Sequence, residues 1–145
     1  MKKAGFSFED HTADVQVKSW GKTLEEAFTQ TAYSLMATIS PNLQKISSII
    51  RKSLKIQAED KQALLFDFLS EFLYIFDVEG LIFGDIVVNY IKKINDEYEL
   101  QADMKGEKFN KDSHEIGTEV KAITYSFMKI EEKEHKVTIS IVFDI

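Results

Sequence analysis

The chain has 145 residues, 44% hydrophobic and 29% charged, with a formal net charge of −6. That balance belongs to an ordinary globular domain, long enough to bury a sizeable core unaided. Cysteine is absent, which excludes disulfides, zinc–thiolate centres and thiol nucleophiles and fits a reducing cytoplasm; no apolar run follows Lys2-Lys3 to make a signal peptide, and nothing approaches the roughly 20 apolar residues of a membrane span.

In chain order, Phe6-Ser7-Phe8 is a short apolar alternation, and Val15 to Trp20 alternates more clearly before Gly21 ends it, so a strand is expected there. Thr23-Leu24-Glu25-Glu26 has the form of a helix-capping box, and Leu24, Ala27, Phe28, Thr31, Leu35 and Ile39 follow at helical spacing up to Pro41. Ser53 to Ala58 reads as a strand. Asp60 then suits the N-cap of a second helix, which carries Leu64, Leu65, Phe68, Leu69, Phe72, Ile75 and Phe76 on one broad face and is closed by Gly80. Asp67, Ser70, Glu71 and Tyr74 fall on its other side.

The remainder is mostly strand. Ile82 to Ile94 and Tyr98 to Lys105 flank a turn at Asn95-Asp96, and Val120 to Ile130 and Lys136 to Phe143 flank the acidic turn Glu131-Glu132-Lys133-Glu134. A polar loop, Gly106 to Gly117, separates the two pairs. Two main helices and hairpin-connected strands predict an α+β fold over residues 1–145, a single domain with the helices packed on a mostly antiparallel β-sheet.

The usual nucleotide and hydrolase signatures are missing. There is no P-loop, no strand-linked GxGxxG, no GxSxG, no HExxH and no EF-hand spacing. An acidic protein is also a poor match for gripping nucleic acid, because that affinity comes largely from neutralised phosphates. The basic groups visible along the sequence, Lys45 to Lys55, Lys92-Lys93 and Lys105 to Lys111, are small and read as solvated surface. A protein or cation partner therefore suits the chain better than RNA alone.

Polar residues at strand ends carry the functional signal. Val137 to Ile145 reads as a strand running to the last residue, so a chain stopping there would hold its α-carboxylate beside Asp144 in fixed structure. If the strand starting near Asp14 lies next to it, three carboxylates converge, and such a group is costly unless a cation joins them. Asp10 and His11 precede that strand, and Glu107, His114 and Lys121 occupy or flank the polar loop; each also suits a structural role.

Taken together, Asp10-His11-Thr12-Ala13-Asp14-Val15, Gly21 to Phe28, Ala63 to Tyr74, Gly106-Glu107, His114, Glu119 to Tyr125 and Phe143-Asp144-Ile145 resemble archease, in the family's order and over the whole length. The resemblance implies a cytoplasmic, non-enzymatic helper of a GTP- and Mn²⁺-dependent RNA-splicing ligase in tRNA maturation. Such a helper promotes guanylylation and turnover of the ligase, with tRNA and GTP met indirectly through it. It also implies a divalent-cation site on Asp14, Asp144 and the carboxylate of Ile145; an all-oxygen set suits Ca²⁺, Mg²⁺ or Mn²⁺ rather than zinc. Two positions depart from the pattern: Asn110 stands where an acidic residue is common, and Ser126 where histidine often follows Thr-Tyr. The residues alone leave two other readings open, a stand-alone metal-dependent phosphohydrolase and a chaperone-like binding module with a structural metal.

Overall fold

The computed structural model describes residues 3–9 and 14–145. Among them, eight strands and two α-helices run in the order β1 (Gly5–Glu9), β2 (Asp14–Gly21), α1 (Leu24–Ile39), β3 (Ile50–Ala58), α2 (Lys61–Glu79), β4 (Leu81–Ile94), β5 (Glu97–Lys108), β6 (Ala122–Ile123), β7 (Lys129–Lys133) and β8 (Lys136–Asp144). A single 3-10 turn, Leu43–Lys45, precedes β3. The α+β expectation holds, and the strands divide into two antiparallel sheets. One has the order β1-β2-β8-β6, with β7 also pairing β8; the other has the order β3-β5-β4.

Local chemistry sets the helix ends. The Thr23 hydroxyl accepts from the Glu26 N–H at 3.1 Å, and Glu26 reaches back to accept from the Lys22 N–H at 3.3 Å. This is the capping box displaced by one donor, and it satisfies two amides that the first turn leaves open. Asp60 caps α2 by accepting from the Ala63 N–H at 2.7 Å. Gly80 ends α2 at φ 70°, a left-handed conformation that costs glycine little.

Both helices bury their expected faces. Leu64, Leu65, Phe68, Leu69 and Phe72 of α2 are fully enclosed, as are Phe28, Ala32, Leu35 and Met36 of α1. Phe68 meets Phe72 edge-on at 5.1 Å, Phe72 meets Phe83 of β4 edge-on at 5.8 Å, and Phe28 of α1 stacks on Phe68 at 6.1 Å. One aromatic chain thus ties both helices to the second sheet, with each offset or edge-on contact favourable beyond simple burial.

Helix α1 also closes an exposed strand edge. Glu25, Thr29 and Tyr33 are spaced four apart, so they line one helix face. Their side chains accept from the backbone N–H groups of Ile91, Val88 and Ile86 in β4, at 3.1, 3.1 and 2.9 Å. An unpaired edge is a template for unwanted strand addition, and these three bonds remove it.

Two sequence expectations are corrected. Val120 to Ile130 is not one strand: only Ala122–Ile123 and Lys129–Ile130 pair with β8, and the chain between them steps off the sheet. There the Thr124 hydroxyl donates to the Val142 carbonyl at 3.0 Å and Tyr125 stacks on Phe66 of α2 at 4.4 Å, so packing against the helix replaces the ladder. The acidic stretch at Glu131 to Lys133 is strand rather than turn. The reversal falls at Glu134-His135, with His135 at φ 64°.

Candidate functional site

The register of β2 and β8 builds the site. Asp14, the first residue of β2, lies directly opposite Asp144, the last residue of β8. Residues facing each other in an antiparallel pair project to the same side, with Cβ atoms about 4.5–5.5 Å apart. The alternation along both strands agrees: Val17, Ile139, Ile141 and Phe143 enter the core, while Asp14, Lys18 and Asp144 stay on the outer face. Ile145 follows at once and, with Phe8, Glu9, Asp14, Val15, Thr38 and Gly117, lines an open cavity of about 460 Å³. Asp144 is held from its far side as well, because β6 begins there and the Lys121 N–H donates to the Asp144 carbonyl at 2.7 Å.

Opposed carboxylates repel, and like charges placed directly across a ladder destabilise it. An arrangement of this kind is favourable with a cation between the charges. Among the described residues no three His, Cys, Asp or Glu side chains gather closely enough to hold a metal by themselves. A cation between Asp14 and Asp144 would therefore need a further oxygen donor, the part expected of the Ile145 carboxylate. The donor chemistry, hard oxygen throughout, fits Ca²⁺, Mg²⁺ or Mn²⁺.

The other candidate residues separate into distinct places. Asp10 and His11 lie outside the described residues. Lys121 is exposed at the β6 end of the same sheet region, with its backbone, not its ammonium, bonded to Asp144. Glu107 and His114 come together elsewhere as a buried clasp. His114 Nδ1 accepts from the Asn110 N–H at 2.9 Å, which places the proton on Nε2, and Nε2 donates to Glu107 Oε2 at 2.9 Å. The same carboxylate accepts from the Ser47 N–H at 2.6 Å. Those bonds, Ser47 first and His114 second, hold the Glu107 carboxyl below its ordinary pKa.

The clasp positions the loop that forms one wall of the cavity. Beyond His114, the Gly117 N–H donates to the Ile39 carbonyl at 2.9 Å and the Thr118 N–H to the Thr38 carbonyl at 2.7 Å. These bonds satisfy carbonyls that the end of α1 leaves open. A Cβ on Gly117 would fall 2.2 Å from the Thr38 carbonyl oxygen, so the close approach requires glycine. Glu107 and His114 are thus positioning residues, one step removed from the cavity. Because the Glu107 pKa is lowered by folding, its stabilisation is complete above the ordinary glutamate range and is lost as pH falls through the lowered value. We expect Glu107→Gln to weaken the fold at neutral pH and to flatten the acid limb of melting temperature against pH. His114→Ala should cost about 1–3 kcal/mol, because it removes a buried imidazole together with its bonds to the Asn110 N–H and the Glu107 carboxylate. An acid limb unchanged in Glu107→Gln would show that the carboxylate contributes nothing to the clasp.

One acidic residue lining the cavity escapes the sequence reading. Glu9 of β1 sits opposite Gln16 of β2 and lines the same cavity as Asp14. Its only signal is that β1 pairs β2, a fact of topology rather than of local pattern.

Comparison with known proteins identifies the family and the fold. Residues 6–145 match the archease protein family (MTH1598/TM1083). The chain belongs to the archease family. Protein archease of Pyrococcus furiosus is 44% identical over 122 residues, covering 84% of each chain. Protein archease of Methanosarcina barkeri is 35% identical over 147 aligned residues, covering both chains completely. The solution structure of protein 1598 of Methanobacterium thermoautotrophicum superposes with a TM-score of 0.82 at 27% identity, covering 97% of this chain and 99% of that one. The two-helix, two-sheet architecture is therefore the family's. Among the described residues no helix is long and apolar enough to cross a membrane.

Proposed function

We propose that this chain is a non-catalytic helper that activates a GTP- and Mn²⁺-dependent RNA-splicing ligase, through a divalent cation held by Asp14, Asp144 and the carboxylate of Ile145. The observation that carries the reading is the face-to-face register of Asp14 and Asp144 at one end of the first sheet. Family membership supports the helper role, since the matched relatives are named archease. The cation would neutralise the opposed carboxylates and supply a concentrated positive charge at the sheet end. This chain's own residues do the rest: β2 and β8 fix the two aspartates, and the Glu107–His114 clasp with Gly117 fixes the facing wall.

The test is stimulation of ligase guanylylation by the purified chain, with Asp14→Ala and Asp144→Ala as variants. Each substitution should abolish stimulation while leaving the fold intact, because both residues lie at a half-exposed strand end and their removal opens no core cavity. Stimulation equal to wild type in both variants would overturn the cation-centred reading. Hydrolysis of nucleotide by the chain alone would favour the phosphohydrolase instead.

A further inference from the structure

The outer face of the first sheet carries a second polar feature, remote in sequence from any basic run. Three strands contribute to it in register. Lys18 of β2 stands opposite Ser140 of β8, which stands opposite Lys129 of β7. The neighbouring row is Trp20, Thr138 and Glu131, and beyond it Lys136 directly faces Lys133. These side chains, Trp20 apart, line a concave groove of about 320 Å³ whose lining residues all carry a charge or a hydroxyl. An adjoining hollow of about 140 Å³ brings Trp20 against Lys18, Lys136 and Thr138.

The charges are unbalanced. Glu131 is shared between Lys129 at 3.3 Å and Lys133 at 3.2 Å, whereas Lys18 and Lys136 have no carboxylate partner among the described residues. Four ammonium groups and one carboxylate thus face solvent on a chain whose formal charge is −6. Setting Lys133 directly across from Lys136 costs stability unless an anion lies over them. The composition decides between an acidic protein and a nucleic acid. Protein interfaces exclude lysine from their centres and anchor on apolar and aromatic side chains, and this groove has lysines and hydroxyls at its centre. Lysine and Ser/Thr hydroxyl groups are the donors that meet phosphate oxygens, and bases of a single strand stack on aromatic side chains such as the indole that lines the adjoining hollow. From the Lys18 row to Lys136 the groove follows β8 for four residues, about 13 Å, more than one phosphate requires.

We infer that this lysine groove binds the phosphodiester backbone of single-stranded RNA, with Trp20 stacking on a base. The inference deepens the proposed function and rests on it for its setting, since a ligase helper would meet the ligase's substrate. The groove shares its sheet face with Asp14, four residues away along β2.

The test needs only this chain and RNA, with neither ligase nor added cation, so its failure leaves the cation reading untouched. A short fluorescein-labelled oligouridylate is titrated by anisotropy over a range of salt, and quenching of Trp20, the single tryptophan, is recorded alongside. Wild type should bind with an affinity that falls linearly in log–log against salt, with tryptophan quenching. On a single strand every neutralised phosphate adds about 0.7 to the steepness of that line, so Lys18→Gln/Lys136→Gln should flatten it by about 1.4 and weaken binding roughly 25-fold at 0.1 M salt. Lys92→Gln/Lys93→Gln on β4 should bind as wild type does. No binding at low salt, undiminished binding by the Lys18/Lys136 variant, or binding without quenching would overturn the inference. Equal competition by polyglutamate would point to an acidic protein partner, and equal competition by uridine monophosphate to a free nucleotide; either outcome also overturns it.

Discussion

Phe72→Ala is expected to lower the unfolding free energy by about 3–5 kcal/mol. Phe72 is completely enclosed and packs edge-on against Phe68 on its own helix and Phe83 on β4. Through Phe68 it is linked to Phe28 of α1, so its ring stands where both helices meet the second sheet. Removing it leaves a cavity that rigid neighbours on two elements cannot collapse to fill, and it takes away the edge-on aromatic attraction on both sides. Small domains hold only about 5–15 kcal/mol of net stability, so about a fifth or more of the total would disappear. Leu65→Ala, equally enclosed, should cost about 2–5 kcal/mol. Tyr74→Ala, on the opposite face of α2 and 61% exposed, should fall within about 0.5 kcal/mol of wild type. Urea unfolding with an unchanged m-value measures all three. An inactive Phe72→Ala variant with an unchanged midpoint would mean that a working surface had been mistaken for core.

The contrast between Phe72 and Tyr74 is legible from helical periodicity, as are Thr23, Asp60 and Gly80 at the helix ends, because those features depend on neighbours a few residues away. For Asp14 and Asp144 the sequence shows only which face each takes: a one-residue slip would turn Val17, Ile139 and Ile141 to solvent, so the alternation keeps both aspartates outward, but that β2 lies beside β8 is a fact of topology. Where tertiary packing competes with local pattern, the sequence misleads. Val120 to Ile130 has strand-like composition, yet Tyr125 is drawn onto Phe66 and Phe127 takes a left-handed φ of 56°, which divides the segment. Conversely, Glu131 to Lys133 looks like a turn because β7 is a short strand rich in charged residues. Such charges are a common protection against edge-to-edge pairing.

The lysine groove is invisible in the sequence for a topological reason. Lys18 and Lys136 belong to opposite ends of the chain and become neighbours only because β2 pairs β8. Charge runs along the sequence point to Lys45 to Lys55 and Lys105 to Lys111 instead. Lys52 pairs with Glu79 at 2.8 Å, and Lys55 and Lys105 lie on the second sheet beside Glu99 and Asp103, whose carboxyls they help hold below their ordinary pKa. Lys52, Lys55 and Lys105 thus each face a carboxylate, whereas Lys18 and Lys136 of the groove have none among the described residues.

A divalent cation should raise the melting temperature of wild type, and removing either aspartate should abolish that gain. With no cation, Asp14 and Asp144 oppose each other across the ladder at a cost of about 0.2–1 kcal/mol, so Asp14→Asn should melt at or slightly above wild type. With Ca²⁺ or Mn²⁺ at about one hundred times its dissociation constant, linkage adds about 2.7 kcal/mol to wild type. For a chain of this length that is roughly 5–10 °C, and Asp14→Asn should gain almost none of it. A chain extended by a few glycines after Ile145 tests the third ligand. The extension moves the charged carboxylate away and leaves a neutral peptide carbonyl in its place, a weaker donor to a hard cation, while β8 and its register are untouched. Its cation affinity should fall on the order of tenfold or more, and its thermal gain should shrink accordingly, whereas glycines added before Met1 should change neither. Calorimetric titration of both extended forms decides the matter. Equal affinities would remove Ile145 from the site, and an undiminished thermal gain in Asp14→Asn would remove the aspartate pair as well.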